Sequence, residues 1–255
     1  MLITVCELPD PADALASAWD RLVAHVQERG SDLVLLPEMP FHTWLARTSQ
    51  PSDEAWAAAM ADHDAYQARF EELGTTTVLG SRPVHVDGHR RNEAFVWSAG
   101  RYRAAHHKYY LPNEDGWWEA TWYERGNKTF DAVPTAAGPT GMLVCTEVWF
   151  TQHARDYAKQ GVTLIATPRA SEWTSRDTWL AGGRAAAVMA GAFSLSSNRG
   201  GTDDHGTHWG GLGWIVDPDG NVLATTSESV PFATAEVDLA DAVEAKGTYP
   251  RYVED

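Results

Sequence analysis

An α/β fold in a single domain is predicted from three features of the sequence. Apolar runs of strand length recur along the 255 residues, with helical stretches between several of them. The runs are continuous rather than alternating, which marks strands covered on both faces. No linker, low-complexity tract or repeat of fixed period divides residues 1–255, and a 44% hydrophobic content supports a sizeable core.

LITVCEL, residues 2–8, reads as the first strand. A helix follows from Asp10 to Gly30, with Asp10 as N-cap and Pro11 at the first position. Leu15, Trp19, Leu22, Val23 and Val26 form its apolar face, and Gly30 is its stop. LVLL at 33–36 is the second strand, and Ser52–Leu73 repeats the helical pattern with Trp56, Met60, His63, Phe70 and Leu73 before Gly74. TVLGS at 77–81 and AFVWSA at 94–99 continue the strand series. Residues 100–135 show little periodicity but concentrate aromatics and charge. A loop of that length is functional or disordered, and Trp117, Trp118, Trp122 and Tyr123 argue against disorder. GMLVC at 141–145, TLIAT at 163–167 and FSLSS at 193–197 complete the strand runs, with helices at 148–160 and 175–190 between them. The second of these is Ala-rich and punctuated by Gly182 and Gly183. Finally, GWIVDPDGNVLATT carries an Asp-Pro-Asp-Gly turn between two strand-like runs and reads as a hairpin.

A formal charge of −15, from 35 acidic against 20 basic residues, argues against nucleic acid or an anionic membrane as partner. No apolar run of spanning length is present, and MLITVCELPD lacks a basic region followed by a long apolar one, so neither a spanning helix nor a signal peptide is expected and the cytoplasm is the expected setting. Cys6 and Cys145 make no disulfide framework and are too few for a structural zinc site. Asp204, His205 and His208 in DDHGTHWG read as a polar turn rather than a metal site.

Chemistry in an open α/β sheet collects at the carboxyl ends of strands. Glu38 follows LVLLP, Lys108 ends RAAHHK and Cys145 ends MLVC, so three reactive groups stand at three strand ends. Such a set suits acyl transfer through a thiol ester. A carboxylate takes the thiol proton as sulfur attacks an electrophilic carbon, and an ammonium with a backbone N–H steadies the resulting oxyanion. Glu38 is the expected base, and Lys108 with the amide of Thr146 the expected oxyanion donors. Taken alone, each residue has a plainer reading: Cys145 as a core thiol, Glu38 as a cap, Lys108 as a solvated cation. Cys6 keeps that plainer reading.

LVLLPEMPF, HHKYYLP and GMLVCTEVWF resemble the three signature segments of the nitrilase, or carbon–nitrogen hydrolase, superfamily. WWEATWYERG resembles the family's intervening segment through Glu119 and Gly126, and LIATP, LSSNRG and GWIVDPDG occupy the expected order. The resemblance implies a four-layer αββα sandwich, self-association through outer helices as a homodimer or larger homo-oligomer, no cofactor and a Glu38-Lys108-Cys145 triad. It also implies that Glu119 orients Lys108 or helps in proton transfer. Thr146-Glu147 and Thr167-Pro168-Arg169 depart from the family pattern.

The expected reaction is hydrolysis of a small carboxamide, with nitriles and carbamoyl compounds as alternative substrates. An amide-forming acyl transferase or a noncatalytic binding protein are rival readings. Trp117, Trp118, Trp149 and Trp173 are the expected pocket walls, and Arg169 is a candidate for holding a substrate carboxylate.

Overall fold

The computed structural model describes all of the chain apart from Pro11, Thr75, Glu254, Asp255 and the side chain of Ala12. The first half runs β1 (Leu2–Pro9), α1 (Ala12–Arg29), β2 (Leu33–Leu35), α2 (Asp53–Gln67), β3 (Thr77–Val86), β4 (His89–Ser98), β5 (Arg101–His107) and α3 (Glu119–Trp122). The second runs β6 (Val133–Thr135), β7 (Gly138–Met142), α4 (Gln152–Lys159), β8 (Leu164–Pro168), α5 (Arg176–Ala190), β9 (Phe193–Gly200), β10 (Trp214–Val216), β11 (Val222–Thr225), β12 (Phe232–Glu236) and α6 (Leu239–Ala245).

Two sheets share a seam. The first has the order β5-β4-β3-β2-β1, parallel at β1, β2 and β3 and antiparallel at β4 and β5. The second has the order β9-β8-β7-β6, with the β10–β11 hairpin antiparallel to β9. β1 joins them by dividing its length: Leu2–Cys6 pairs with β12, and Glu7–Pro9 pairs with β9.

Alternation along the buried strands builds the layers. Ile3, Val5, Leu33, Leu35 and Leu79 face Met142, Leu164, Ala166 and Leu195 of the other sheet. The intervening Cys6, Leu8, Val34, Leu36 and Val78 turn outward against Leu15, Trp19, Leu22 and Val26 of α1. On the far side, Ile165 packs with Tyr157 of α4 and with Ala186 and Ala190 of α5. The arrangement is the expected αββα sandwich. Cys6 is a packed strand residue whose thiol reaches Leu35 O at 3.4 Å, and neither cysteine forms a disulfide.

Several boundaries differ from the sequence reading. The 52–73 helix is two pieces: α2, capped by Ser52 Oγ accepting from Ala55 N at 3.1 Å, and a 3₁₀ turn at Phe70–Leu73. The 141–145 strand ends at Met142, and a 3₁₀ turn over Cys145–Trp149 precedes α4. β5 lies inside the segment read as aperiodic; it is an edge strand, and its largely exposed side chains leave little apolar signal. The N-cap expectation at Asp10 involves Pro11, which lies outside the described residues. Asp10 itself accepts from Trp44 N at 3.2 Å and pairs with buried Arg199.

Candidate active site

Each reactive group leaves a sheet within a few residues of a strand end. Glu38 follows β2, and its amide donates to Arg169 O at 3.1 Å across the seam. Arg199, fully buried, donates to Met39 O at 2.5 Å and His42 O at 3.0 Å, fixing the chain beyond Glu38. Lys108 follows β5, with its amide on Asn92 O at 2.9 Å and its carbonyl accepting from Gly126 N at 3.0 Å. A Cβ on Gly126 would lie 2.2 Å from His107 O, so only glycine lets the aromatic-rich loop close on Lys108. Cys145 opens its 3₁₀ turn with φ +49, a left-handed conformation costly for a non-glycine residue.

The structure brings Glu38, Lys108, Glu119 and Cys145 together in the interior, the first two with no exposed surface. Lys108 Nζ donates to Glu38 Oε1 at 2.8 Å and to Glu119 Oε2 at 2.6 Å. Asn92 Nδ2 also donates to Glu38 Oε1, at 2.7 Å, while Glu38 Oε2 is buried with no hydrogen-bond partner among the described residues. Tyr123 donates its hydroxyl to Glu119 Oε2 at 2.5 Å. The Cys145 sulfur sits 3.7 Å from Ala170 O.

Burial drives the electrostatics. It pushes the Cys145 thiol well above its ordinary value, reinforced by Glu38 and only partly opposed by Lys108, so the resting sulfur keeps its proton. Burial also pushes Glu119 up to about 7, against the pull of Lys108 and with the push of Glu38. Desolvation works against the Lys108 ammonium, but Glu119 and Glu38 outweigh it and raise its pKa.

A second buried network holds this arrangement in register. Glu147 accepts from Val144 N at 2.8 Å and Tyr109 N at 2.8 Å, and its carboxylate lies 2.9 Å from His106 Nε2. It thereby spans the two segments that deliver Cys145 and Lys108. Sequence reasoning assigned no chemistry to His106 or Glu147 and did not find Asn92 or Tyr123. A glutamate two residues beyond the cysteine, inside a buried turn, was the available signal.

A cavity of about 380 Å³ opens onto Cys145 and the Thr146 position. Trp117, Trp149 and Trp179 stand in its wall with Glu119, Glu114 and Glu172. Thr146 lies in the first turn of the 3₁₀ segment, where amides have no intrahelical acceptor. Gly182 of α5 lets the helix approach Trp149: a Cβ there would meet the indole at 2.7 Å.

Three expected wall or ligand residues lie elsewhere. Trp118 is outside the cavity wall, its amide bonded to Ala46 O at 2.7 Å and its ring against the core of the aromatic cluster. Trp173 stacks on His208 at 4.6 Å under the Arg176 guanidinium. Arg169 is fully buried behind the wall, with its guanidinium on Ser196 Oγ at 2.7 Å, Ser171 Oγ at 2.9 Å, Gly211 O at 3.2 Å and Leu212 O at 2.8 Å. It also lies over the Trp214 ring at 4.3 Å. Four of its five N–H groups are held by protein acceptors and the residue has no exposed surface, so the expectation of a free guanidinium for a substrate carboxylate is corrected. Trp179 takes a wall position that no sequence feature had marked. The 203–210 loop is a turn in which Asp203 Oδ1 accepts from His205 N and Thr207 N, both at 2.9 Å.

The layered sandwich thus sets a buried cysteine in the field of a lysine and two carboxylates. The carbon-nitrogen hydrolase family model matches residues 2–247, and the chain belongs to that family, within the nitrilase superfamily. A carbon-nitrogen hydrolase from Helicobacter pylori superimposes with a TM-score of 0.87 at 19% identity, covering 98% of this chain and 94% of that one. The deaminated glutathione amidase of Synechocystis is 24% identical over 86% of this chain and 84% of its own length. The N-carbamoylputrescine amidase of Arabidopsis thaliana is 25% identical over 90% of this chain and 84% of its own. Among the described residues no helix is long and apolar enough to cross a membrane.

Proposed function

We propose that this enzyme hydrolyses the amide bond of a small molecule through a thioester on Cys145. The observation that carries the reading is the unpartnered, buried Glu38 Oε2 on a carboxylate whose other oxygen is held by Lys108 and Asn92. One oxygen is fixed and the other is open to a proton.

In this reading Glu38 takes the Cys145 proton as sulfur attacks the carbonyl carbon. Lys108 and the Thr146 amide stabilise the oxyanion. The carbon–nitrogen bond then breaks, and Glu38 returns the proton to the departing amine. Water enters, gives a proton to Glu38 and adds to the thioester carbon; the carbon–sulfur bond breaks, and the proton goes back to sulfur. Glu119 holds Lys108 from its other side throughout. Nitriles and carbamoyl compounds would form their covalent intermediates at the same sulfur. Trp117 and Trp149 would flank the substrate, and self-association through the outer helices in a cytoplasmic setting belongs to the same reading.

Incubation with a panel of amides, nitriles and carbamoyl compounds, reading ammonia and intact mass, tests it. An acyl adduct on the wild-type protein, absent from Cys145→Ala, supports the proposal. Undiminished turnover by Cys145→Ala overturns it.

A further inference from the structure

The charge lining the cavity bears on what the substrate carries besides its scissile bond. Beyond Glu119, which is engaged with Lys108 and Tyr123, the wall holds two further carboxylates, Glu114 and Glu172. Both belong to exposed residues, and neither side chain enters an ion pair or hydrogen bond among the described residues. Their backbones are fixed: Glu114 N and O meet Trp117, and Glu172 bridges to Trp209. Three indoles, Trp117, Trp149 and Trp179, stand in the same wall. Among the described lining residues there is no lysine or arginine. The nearby guanidinium of Arg169 has no exposed surface and is committed to four protein acceptors, one of them the wall residue Ser171.

Carboxylates free to turn toward a ligand, set among indole faces, form an environment that attracts a cation and repels an anion. The chain's net charge of −15 adds to that bias at longer range. Resting on the amidase reading above, we infer that the preferred substrate is a small amide or carbamoyl compound whose remaining part bears an ammonium or guanidinium group, which Glu114 and Glu172 recognise. A substrate whose far end is a carboxylate would meet repulsion with no cation on the wall to offset it. Glu114 and Glu172 are therefore specificity-determining residues and take no part in bond making.

The test compares three amides of matched length, ending in an ammonium, a methyl or a carboxylate, at low and high salt. Expected is a kcat/KM for the ammonium compound at least tenfold above the methyl compound and a hundredfold above the carboxylate, carried by KM and shrinking as salt screens it. In Glu114→Gln/Glu172→Gln the loss should fall at least tenfold harder on the ammonium compound than on the methyl one. Equal turnover of all three, preference for the carboxylate, or an equal loss on all three in the double variant overturns the inference. Calorimetry of Cys145→Ala with a simple alkylammonium and the matching alkanoate separates this inference from the amidase reading. Selective binding of the ammonium, weakened by the double variant, supports cation recognition even if no amide is turned over; selective binding of the alkanoate, or of neither, overturns it even if amides are cleaved.

Discussion

His106 Nε2 lies 2.9 Å from Glu147 Oε2, and this buried contact ties the strand that delivers Lys108 to the turn that delivers Cys145. Because Glu147 also accepts from the Val144 and Tyr109 amides, removing its charge leaves several buried donors poorly served. Glu147→Ala is expected to lower stability by about 3–5 kcal/mol, the range for breaking a buried ion pair. Denaturant unfolding measures it, and kcat should fall more than KM changes, since the reacting groups move relative to each other.

Two windows of pH dependence follow. Desolvation works against a charged His106, but Glu147 and the Thr129 carbonyl outweigh it, so its folded-state pKa is raised above 6.5. Its contribution is then fully present below pH 6.5 and lost as pH rises through the higher folded value. Glu119, pushed up to about 7 chiefly by burial, makes the folded state hold a proton that the unfolded chain releases near 4.5. Stability should therefore fall as pH rises between those two values. Unfolding free energies measured from pH 4 upward should show a flatter lower window in Glu119→Gln and a flatter upper one in His106→Gln.

Gly126 should tolerate no side chain. The 2.2 Å approach that a Cβ would make to His107 O is to backbone, which cannot swing aside. Gly126→Ala is expected to cost about 1–3 kcal/mol, as for overpacking elsewhere, and to depress kcat by displacing Lys108. A drop in melting temperature together with lost turnover checks this; an alanine variant of normal stability and rate would contradict it.

Arg169→Gln should act on stability rather than on recognition of acid-bearing substrates. Its guanidinium serves two buried hydroxyls and two carbonyls, and leaving such groups unpaired costs about 1–3 kcal/mol each. Chemical unfolding should show a loss of that order or more. A KM change confined to carboxylate substrates, with stability intact, would contradict the placement behind the wall.

The sandwich was legible because its strands are buried on both faces and announce themselves as unbroken apolar runs. Two of the groups at the strand ends were legible for a related reason, since Glu38 and Cys145 each follow such a run; Lys108 follows the edge strand β5, whose apolar signal is weak, and was legible through the segment HHKYYLP. What stayed hidden depends on partners distant in sequence. Asn92 lies within β4 and looks like any polar strand residue until Lys108 and Glu38 are placed around it. The pairing of His106 with Glu147 crosses between two elements and has no local signature. Arg169 illustrates the converse: its position past a strand fits a ligand arginine or a wall support equally, and only its burial decides. Gly182 and Gly183 looked like helix punctuation, yet they admit the indoles of Trp149 and Trp214 against α5.

The most direct measurement is intact mass under turnover with a small amide, quenched in acid. A mass gain equal to the acyl group, localised to the Cys145 peptide and lost in Cys145→Ala, is the expected result. Steady release of ammonia by Cys145→Ala at the wild-type rate would contradict the account.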